Sequence, residues 1–163
     1  MDLSRLSRYE VIGAVAAGIG LVALLFLPWY DLTDTPERAA QGAWLCGTED
    51  FSCTGFETFP ILRWLLIAAG FAPLILAYIL VRGHKLSWPP GEMTMVVGFA
   101  ATVLIGYNGI IDKPAPDEGQ EFGISLAIGY WITLLVAIAI ATTGFLRSME
   151  SGAKGPRKAP GTV

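Results

Sequence analysis

Apolar and polar positions along this chain fall in long blocks rather than at the short periods of a water-soluble helix or strand. Val11 to Tyr30 holds no charge, Trp64 to Val81 is apolar with Phe59 to Arg63 leading into it, and Met93 to Ile111 and Ile124 to Leu146 repeat the pattern. A helix needs about 20 mostly apolar residues to cross the hydrocarbon layer, where unpaired backbone groups find no water. The blocks predict four spanning helices over residues 11–30, 59–81, 93–111 and 124–146. They form one domain, residues 1–147, in an all-α, antiparallel, up-down-up-down four-helix bundle. Polar stretches at 31–57, 82–92 and 112–123 connect the spans, and residues 148–163, rich in Gly, Pro, Lys and Arg, read as a disordered tail.

Composition agrees with a membrane protein: 53% of the 163 residues are hydrophobic, 15% are charged and the mean hydropathy is +0.55. Eleven basic residues against fourteen acidic ones, with no basic block, exclude a nucleic-acid binder, and two cysteines are too few for a secreted disulfide scaffold. The charges also orient the chain, because Lys and Arg in short loops stay cytoplasmic. Arg5, Arg8, Arg82, Lys85, Arg147, Lys154, Arg157 and Lys158 fall on one side, whereas Arg38, Arg63 and Lys113 fall on the other. That second side carries ten acids, among them Glu57, Asp112, Asp117 and Glu118. Both termini are therefore expected in the cytoplasm, with loops 31–57 and 112–123 outside a bacterial plasma membrane. The first apolar run is long for a signal peptide and lacks a prompt A-x-A site, so it reads as an uncleaved helix.

Small residues four apart mark where helices in lipid approach each other. The fourth span offers Ser125, Gly129, Thr133, Ala137 and Ala141, the third Gly98, Thr102 and Gly106, and the first Ala16 with Gly20 and Ala14 with Gly18. Pro73 falls mid-span and Pro60 follows a capping Thr58. Trp29, Tyr30, Trp64, Trp88, Tyr107, Tyr130 and Trp131 fall near the predicted water boundaries, as aromatic belts do.

Few residues suggest chemistry. Cys46 and Cys53 stand in the first outer loop, where an exported compartment allows a structural disulfide worth roughly 2 to 3 kcal/mol. A redox pair is the sharper alternative. Arg63 adjoins the start of the second span, where it would pair with an outer-loop acid such as Glu57 or Asp112, or hold an anionic group. Asn108, near the outer end of the third span, would bond across helices. No His, Asp, Glu or Lys lies inside the four predicted cores, and His84, the one histidine, is in a loop. The chain has no H-E-x-x-H, no G-x-S-x-G and no phosphate loop. The acidic segment 112–121 matches no calcium loop. No catalytic residue, metal site or cofactor is expected.

Leu27-Pro28-Trp29-Tyr30, Gly55-Phe56-Glu57-Thr58-Phe59, Tyr107-Asn108-Gly109-Ile110-Ile111-Asp112-Lys113-Pro114 and the segment from Gly123 to Trp131 occur in an order that resembles small four-span membrane proteins of actinobacteria. The resemblance covers roughly residues 5 to 147 and implies the bundle and a bacterial plasma membrane, but no activity. Trp44, Cys46 and Cys53 also follow the order found in the first outer loop of claudin-type tetraspans, without their Gly-Leu-Trp core. That looser likeness reads as convergence on a loop staple.

These readings lead to a non-catalytic membrane protein, an accessory or interaction subunit whose acidic, disulfide-pinned outer cap meets another membrane protein or a lipid. Trp44, Cys46, Cys53, Arg63, Asn108 and Asp112 are its candidate residues. A carrier for a small lipidic ligand between the helices, with Arg63 and Asn108 at its mouth, is the alternative. A membrane thiol-disulfide oxidoreductase is the third.

Overall fold

The computed structural model describes residues 6–32, 52–83, 88–114 and 123–153. Helix α1 spans Arg8–Phe26, strand β1 Pro28–Leu32, strand β2 Ser52–Thr54, the short helix α2 Gly55–Thr58, and α3 Leu62–Val81. Helix α4 spans Pro90–Gly106 and passes into a π-helical turn at Tyr107–Ile111, followed by strand β3 at Ile124–Leu126 and helix α5 at Ile128–Ala153. Four of these helices are long and apolar enough to cross a membrane. The all-α expectation is corrected by the three strands, which form one antiparallel sheet in the order β2-β1-β3.

The ends of the helices explain where the sequence reading shifted. Helix α1 starts earlier than expected because Ser7 and Glu10 cap it reciprocally: the Ser7 N–H donates to Glu10 Oε2 at 2.7 Å and the Glu10 N–H to Ser7 Oγ at 3.3 Å. It stops at Phe26 rather than Tyr30 because Pro28 bars its predecessor from helical geometry, and Leu27 is extended at φ −97°, ψ 143°. Apolarity alone could not register that break. Helix α3 starts at Leu62, since Thr58 closes α2 instead of capping the span, and Pro60 lies in the turn between them. Pro90 opens α4 at its first turn, with Glu92 favourably placed against the positive end of the helix dipole. Helix α5 begins after β3, at Ile128, and runs through Ala153. The expected tail is therefore helical at its start, and its remainder, from 154 onward, lies outside the described residues.

Helix α5 is the central packing element, and glycines set how close its neighbours come. A Cβ on Gly98 would collide with the backbone of Ala141, one on Gly144 with the backbone of Met95, and one on Gly91 with Ser148 N. Helices α4 and α5 thus meet backbone to backbone and run antiparallel. Helix α1 lies on another face of α5, where a Cβ added to Gly20 would come within 2.8 Å of Val136 and one added to Gly13 within 3.2 Å of Thr143 Oγ1. Gly70 of α3 receives Leu21 of α1. Tyr9, Leu80, Pro90 and Arg147 gather at one end of the bundle, so successive long helices alternate in direction. The sheet lies at the other end, hereafter the sheet end.

Some members of the expected small-residue rows serve this packing, including Ala141, whose backbone meets Gly98. Gly98, Gly129, Thr133, Ala137 and the pair Ala16 and Gly20 do, whereas Ser125 belongs to β3, and Gly18 and Gly106 meet nothing within 4 Å. Gly91 falls before the predicted start of the third span at 93, and Gly144 lies off the four-residue row of the fourth. Thr94, Thr102, Thr133, Thr142 and Thr143 donate their hydroxyls to carbonyls one turn earlier in their own helices, at 2.7 to 3.0 Å. Such bonds satisfy hydroxyls in lipid without any partner helix.

Replacing Gly98 with Ala is expected to cost about 1–3 kcal/mol, because the added methyl has only backbone to displace. Gly18→Ala should leave stability unchanged or slightly raised, since the added carbon meets open space. Thermal unfolding of both variants in detergent checks the contrast.

Candidate functional site at the sheet end

Strand β1 is the middle strand, pairing Tyr30 with Cys53 of β2 on one side and with Leu126 of β3 on the other. A register shift between Pro28 and Tyr30 marks a bulge at Trp29. An uninterrupted strand turns consecutive side chains to opposite faces, and a bulge removes that constraint. Trp29 and Tyr30, though adjacent, are both 0% exposed.

Around them one end of each long helix converges, the last turns of α1 and α4 and the first turns of α3 and α5. The Trp29 indole stands edge-on to Tyr130 at 5.7 Å and to Phe59 at 6.1 Å, and Tyr30 stands edge-on to Phe59 at 6.1 Å. Three glycines admit these groups: Gly55 lies against the Trp29 ring, Gly109 against the Tyr130 ring, and Gly129 against Leu27 and the Pro28 carbonyl. The Tyr30 hydroxyl donates to the Asn108 carbonyl at 3.2 Å and the Tyr130 hydroxyl to the Ile105 carbonyl at 3.3 Å. Both acceptors belong to the stretch where α4 becomes a π-helical turn, closed by the Asp112 N–H donating to Tyr107 O at 2.8 Å. The Ala127 N–H donates to the Trp29 carbonyl at 2.8 Å, tying α5 to the sheet. The Trp29 indole N–H is buried with no acceptor.

This cluster corrects the belt assignment of Trp29, Tyr30 and Tyr130, which are core residues. Trp64, Trp88, Tyr107 and Trp131 are exposed, as belt residues are. The cluster also unites the four sequence segments Leu27–Tyr30, Gly55–Phe59, Tyr107–Pro114 and Gly123–Trp131, each giving it a buried ring or a glycine that seats one. Aromatic residues beside Gly or Pro were the signal for it. Their position at predicted water boundaries hid it, since a belt and a plug have the same sequence.

The individually predicted residues fare differently. Trp44 and Cys46 lie outside the described residues. Cys53 is fully buried in β2, opposite Tyr30. The Asn108 side chain donates to Leu104 O of its own helix at 2.9 Å, so the expected cross-helix bond is made by its backbone carbonyl instead. Asp112 is exposed at the end of the π-helical turn. Arg63 pairs with neither Glu57 nor Asp112, and among the described residues the one basic side chain in an ion pair is Arg147, at 3.1 Å from Glu10 and 3.4 Å from Glu150. The reason lies in α2. Glu57 turns back to accept from the Thr54 N–H at 2.9 Å and the Thr54 hydroxyl at 2.8 Å, while Arg63 Nη1 donates to the Phe56 carbonyl at 3.3 Å. The Arg63 guanidinium lies over the Phe56 and Trp64 rings, 4.8 and 5.5 Å from their centroids.

No protein-family model, no curated protein and no solved structure matches this chain. Its capacity for chemistry must then be judged from the interior. Where the four long helices meet, free space amounts to about 30 Å3, lined by Ala17, Leu24, Leu66, Gly98 and Ala137. At the opposite end, beside Glu10 and Arg147, it is about 20 Å3. Each volume suits a water or two, whereas sites for small organic ligands run to ~300–1,000 Å3. Larger hollows of about 440, 420 and 260 Å3 are open apolar grooves on the outer faces of the bundle, shaped for acyl chains rather than a sequestered ligand. Among the described residues no three His, Cys, Asp or Glu side chains are grouped to hold a metal ion.

Burial, and secondarily the neighbouring Tyr130, pushes the Tyr30 phenol above its ordinary value of 10.0. The folded chain therefore holds this proton at pH values where the unfolded chain has lost it. The stabilisation is complete below about pH 10 and declines as the pH rises further. Tyr30→Phe is expected to cost about 0.5–1.5 kcal/mol at neutral pH through the lost hydrogen bond. It should also flatten the decline between pH 10 and 12, as measured by thermal unfolding in detergent across that range.

Proposed function

We propose that this chain is a non-catalytic multi-pass protein of the cell membrane, an accessory or interaction subunit that presents a rigid cap to a membrane partner. The observation that carries this reading is the filled interior. A carrier would need a chamber reaching Arg63, whereas the free space between the helices is on the scale of single waters and apolar in lining. A thiol oxidoreductase needs an accessible cysteine, and Cys53 has no exposed surface. What the chain offers its surroundings is surface: a sheet and π-helical turn pinned by buried aromatic rings, rimmed by exposed Ile61, Trp64, Ile110 and Asp112.

In this proposal the sheet end faces outward and both termini are cytoplasmic, as the distribution of Lys and Arg favours. In the same proposal Cys46 bonds to Cys53, which would fasten the segment 33–51 to the edge strand β2 and add the acids of that segment to the cap. The chain would then belong with the four-span actinobacterial proteins it resembles, its longer cysteine-bearing loop being a particular feature.

Crosslinking in the native membrane followed by mild-detergent pull-down of the tagged chain tests the proposal. A stoichiometric membrane protein should copurify, and it should be lost when Trp44 and Asp112 are replaced by Ala. Copurification of no protein, or of the same protein at the same yield with the substituted cap, would overturn it.

A further inference from the structure

Arg63 occupies an unusual position for a charged side chain. It stands in the first turn of a 20-residue apolar helix, at the sheet end, where acidic residues outnumber basic ones. Yet no described carboxylate is in ion-pair contact with it, and the nearest acid in sequence, Glu57, is committed to capping α2. Of its five N–H groups one donates to the Phe56 carbonyl, and Nε is buried without an acceptor. A half-buried cation whose one protein acceptor among the described residues is a carbonyl is costly at a lipid boundary, and it is stabilised when an anion meets its remaining outer N–H groups.

The surroundings restrict what that anion is. Phe56 and Trp64 stand edge-on to one another at 5.9 Å, and the guanidinium lies 4.8 and 5.5 Å from their ring centroids, held between two aromatic faces. A fixed fork of donors matches an anion with paired oxygens, a carboxylate or a phosphate. Ile61 and Trp64, 76% and 58% exposed, lie on either side of Arg63 in sequence and face out of the bundle. An apolar side chain and an indole exposed at the start of a spanning helix belong at the boundary between acyl chains and headgroups. The anions present at that depth are lipid phosphates. Arg8 and Arg82 also stack on tyrosines, but both are exposed and each bonds to a tyrosine near it in sequence, Arg8 to Tyr9 and Arg82 Nε to Tyr78.

The geometry points to Arg63, held against Phe56 and Trp64, as a binding site for the phosphodiester of a membrane phospholipid. The lipid's phosphate oxygens accept from the outer N–H groups of the guanidinium, and its upper acyl chain lies along Ile61 and Trp64. This site is independent of whether a protein partner docks on the cap.

Native mass spectrometry of the full chain, delipidated in mild detergent and titrated with phosphatidylglycerol, tests it. The wild type should retain a tightly bound lipid, and Arg63→Gln should weaken that binding at least about tenfold, the factor expected for losing charge-assisted hydrogen bonds. Arg63→Lys, which keeps the charge and loses the fork, should weaken it by a smaller factor. Phe56→Leu, which frees the guanidinium plane, should do the same, and Arg82→Gln should leave it unchanged. Should Arg63→Gln fail to fold, the Lys and Leu variants carry the test. Equal retention by wild type and the Arg63 variants, an equal loss in Arg82→Gln, or no retention by the wild type would each overturn the site. Displacement of the lipid by an equimolar amount of inorganic phosphate would overturn the lipid as its occupant.

Discussion

Pro28 stops α1 while the chain is still apolar, and the backbone beyond it must find hydrogen bonds among buried side chains. A helix satisfies itself, but an extended segment cannot. The solution is to make Pro28–Leu32 the middle strand of a sheet, bonded on one side by Ser52–Thr54 and on the other by Ile124–Leu126. Those partners come from the connections after α1 and after α4, so one proline ties together segments nearly 100 residues apart. The bulge at Trp29 follows from the same need, because it allows two adjacent rings to face inward. From that come the glycines at 55, 109 and 129, each small enough to let a ring or a carbonyl approach. The π-helical turn is part of the arrangement too, since its stretch supplies the carbonyl that accepts from Tyr30.

The rest of the bundle is held by proximity. Lipid gives helices no hydrophobic reason to associate, so they gain from close contact. Gly91, Gly98 and Gly144 bring α4 and α5 to backbone contact, and Gly13 and Gly20 let side chains of α5, Thr143 and Val136, approach α1. The threonines in the spans bond within their own helices and leave the interior apolar. Among the described residues the spaces inside the bundle are on the scale of single waters.

Charge is handled differently at the two ends. At the end bearing Arg8, Arg82 and Arg147, Glu10 both caps α1 and pairs with Arg147, joining the first and last spans. At the sheet end the carboxylate closest in sequence to Arg63 is taken by the cap of α2, and aromatic faces take its place. The first arrangement is closed within the protein. The second leaves donors directed at whatever lies outside.

The sequence by itself determined the number of long helices, their approximate extents and their apolar faces, because the hydrocarbon layer imposes a length and a composition that no soluble fold requires. It also marked Gly98, Gly20 and Ala137 as packing positions, since spacing on a helix is local geometry. Only the tertiary structure decided that Trp29, Tyr30 and Tyr130 form a buried plug, that Asn108 serves through its carbonyl, and that Glu57 is withheld from Arg63. Each of these depends on which distant segment satisfies a hydrogen bond or fills a gap. Ring and carboxylate chemistry is the same at a lipid interface as in a core, so composition cannot distinguish the two; the strand pairing around Pro28 does.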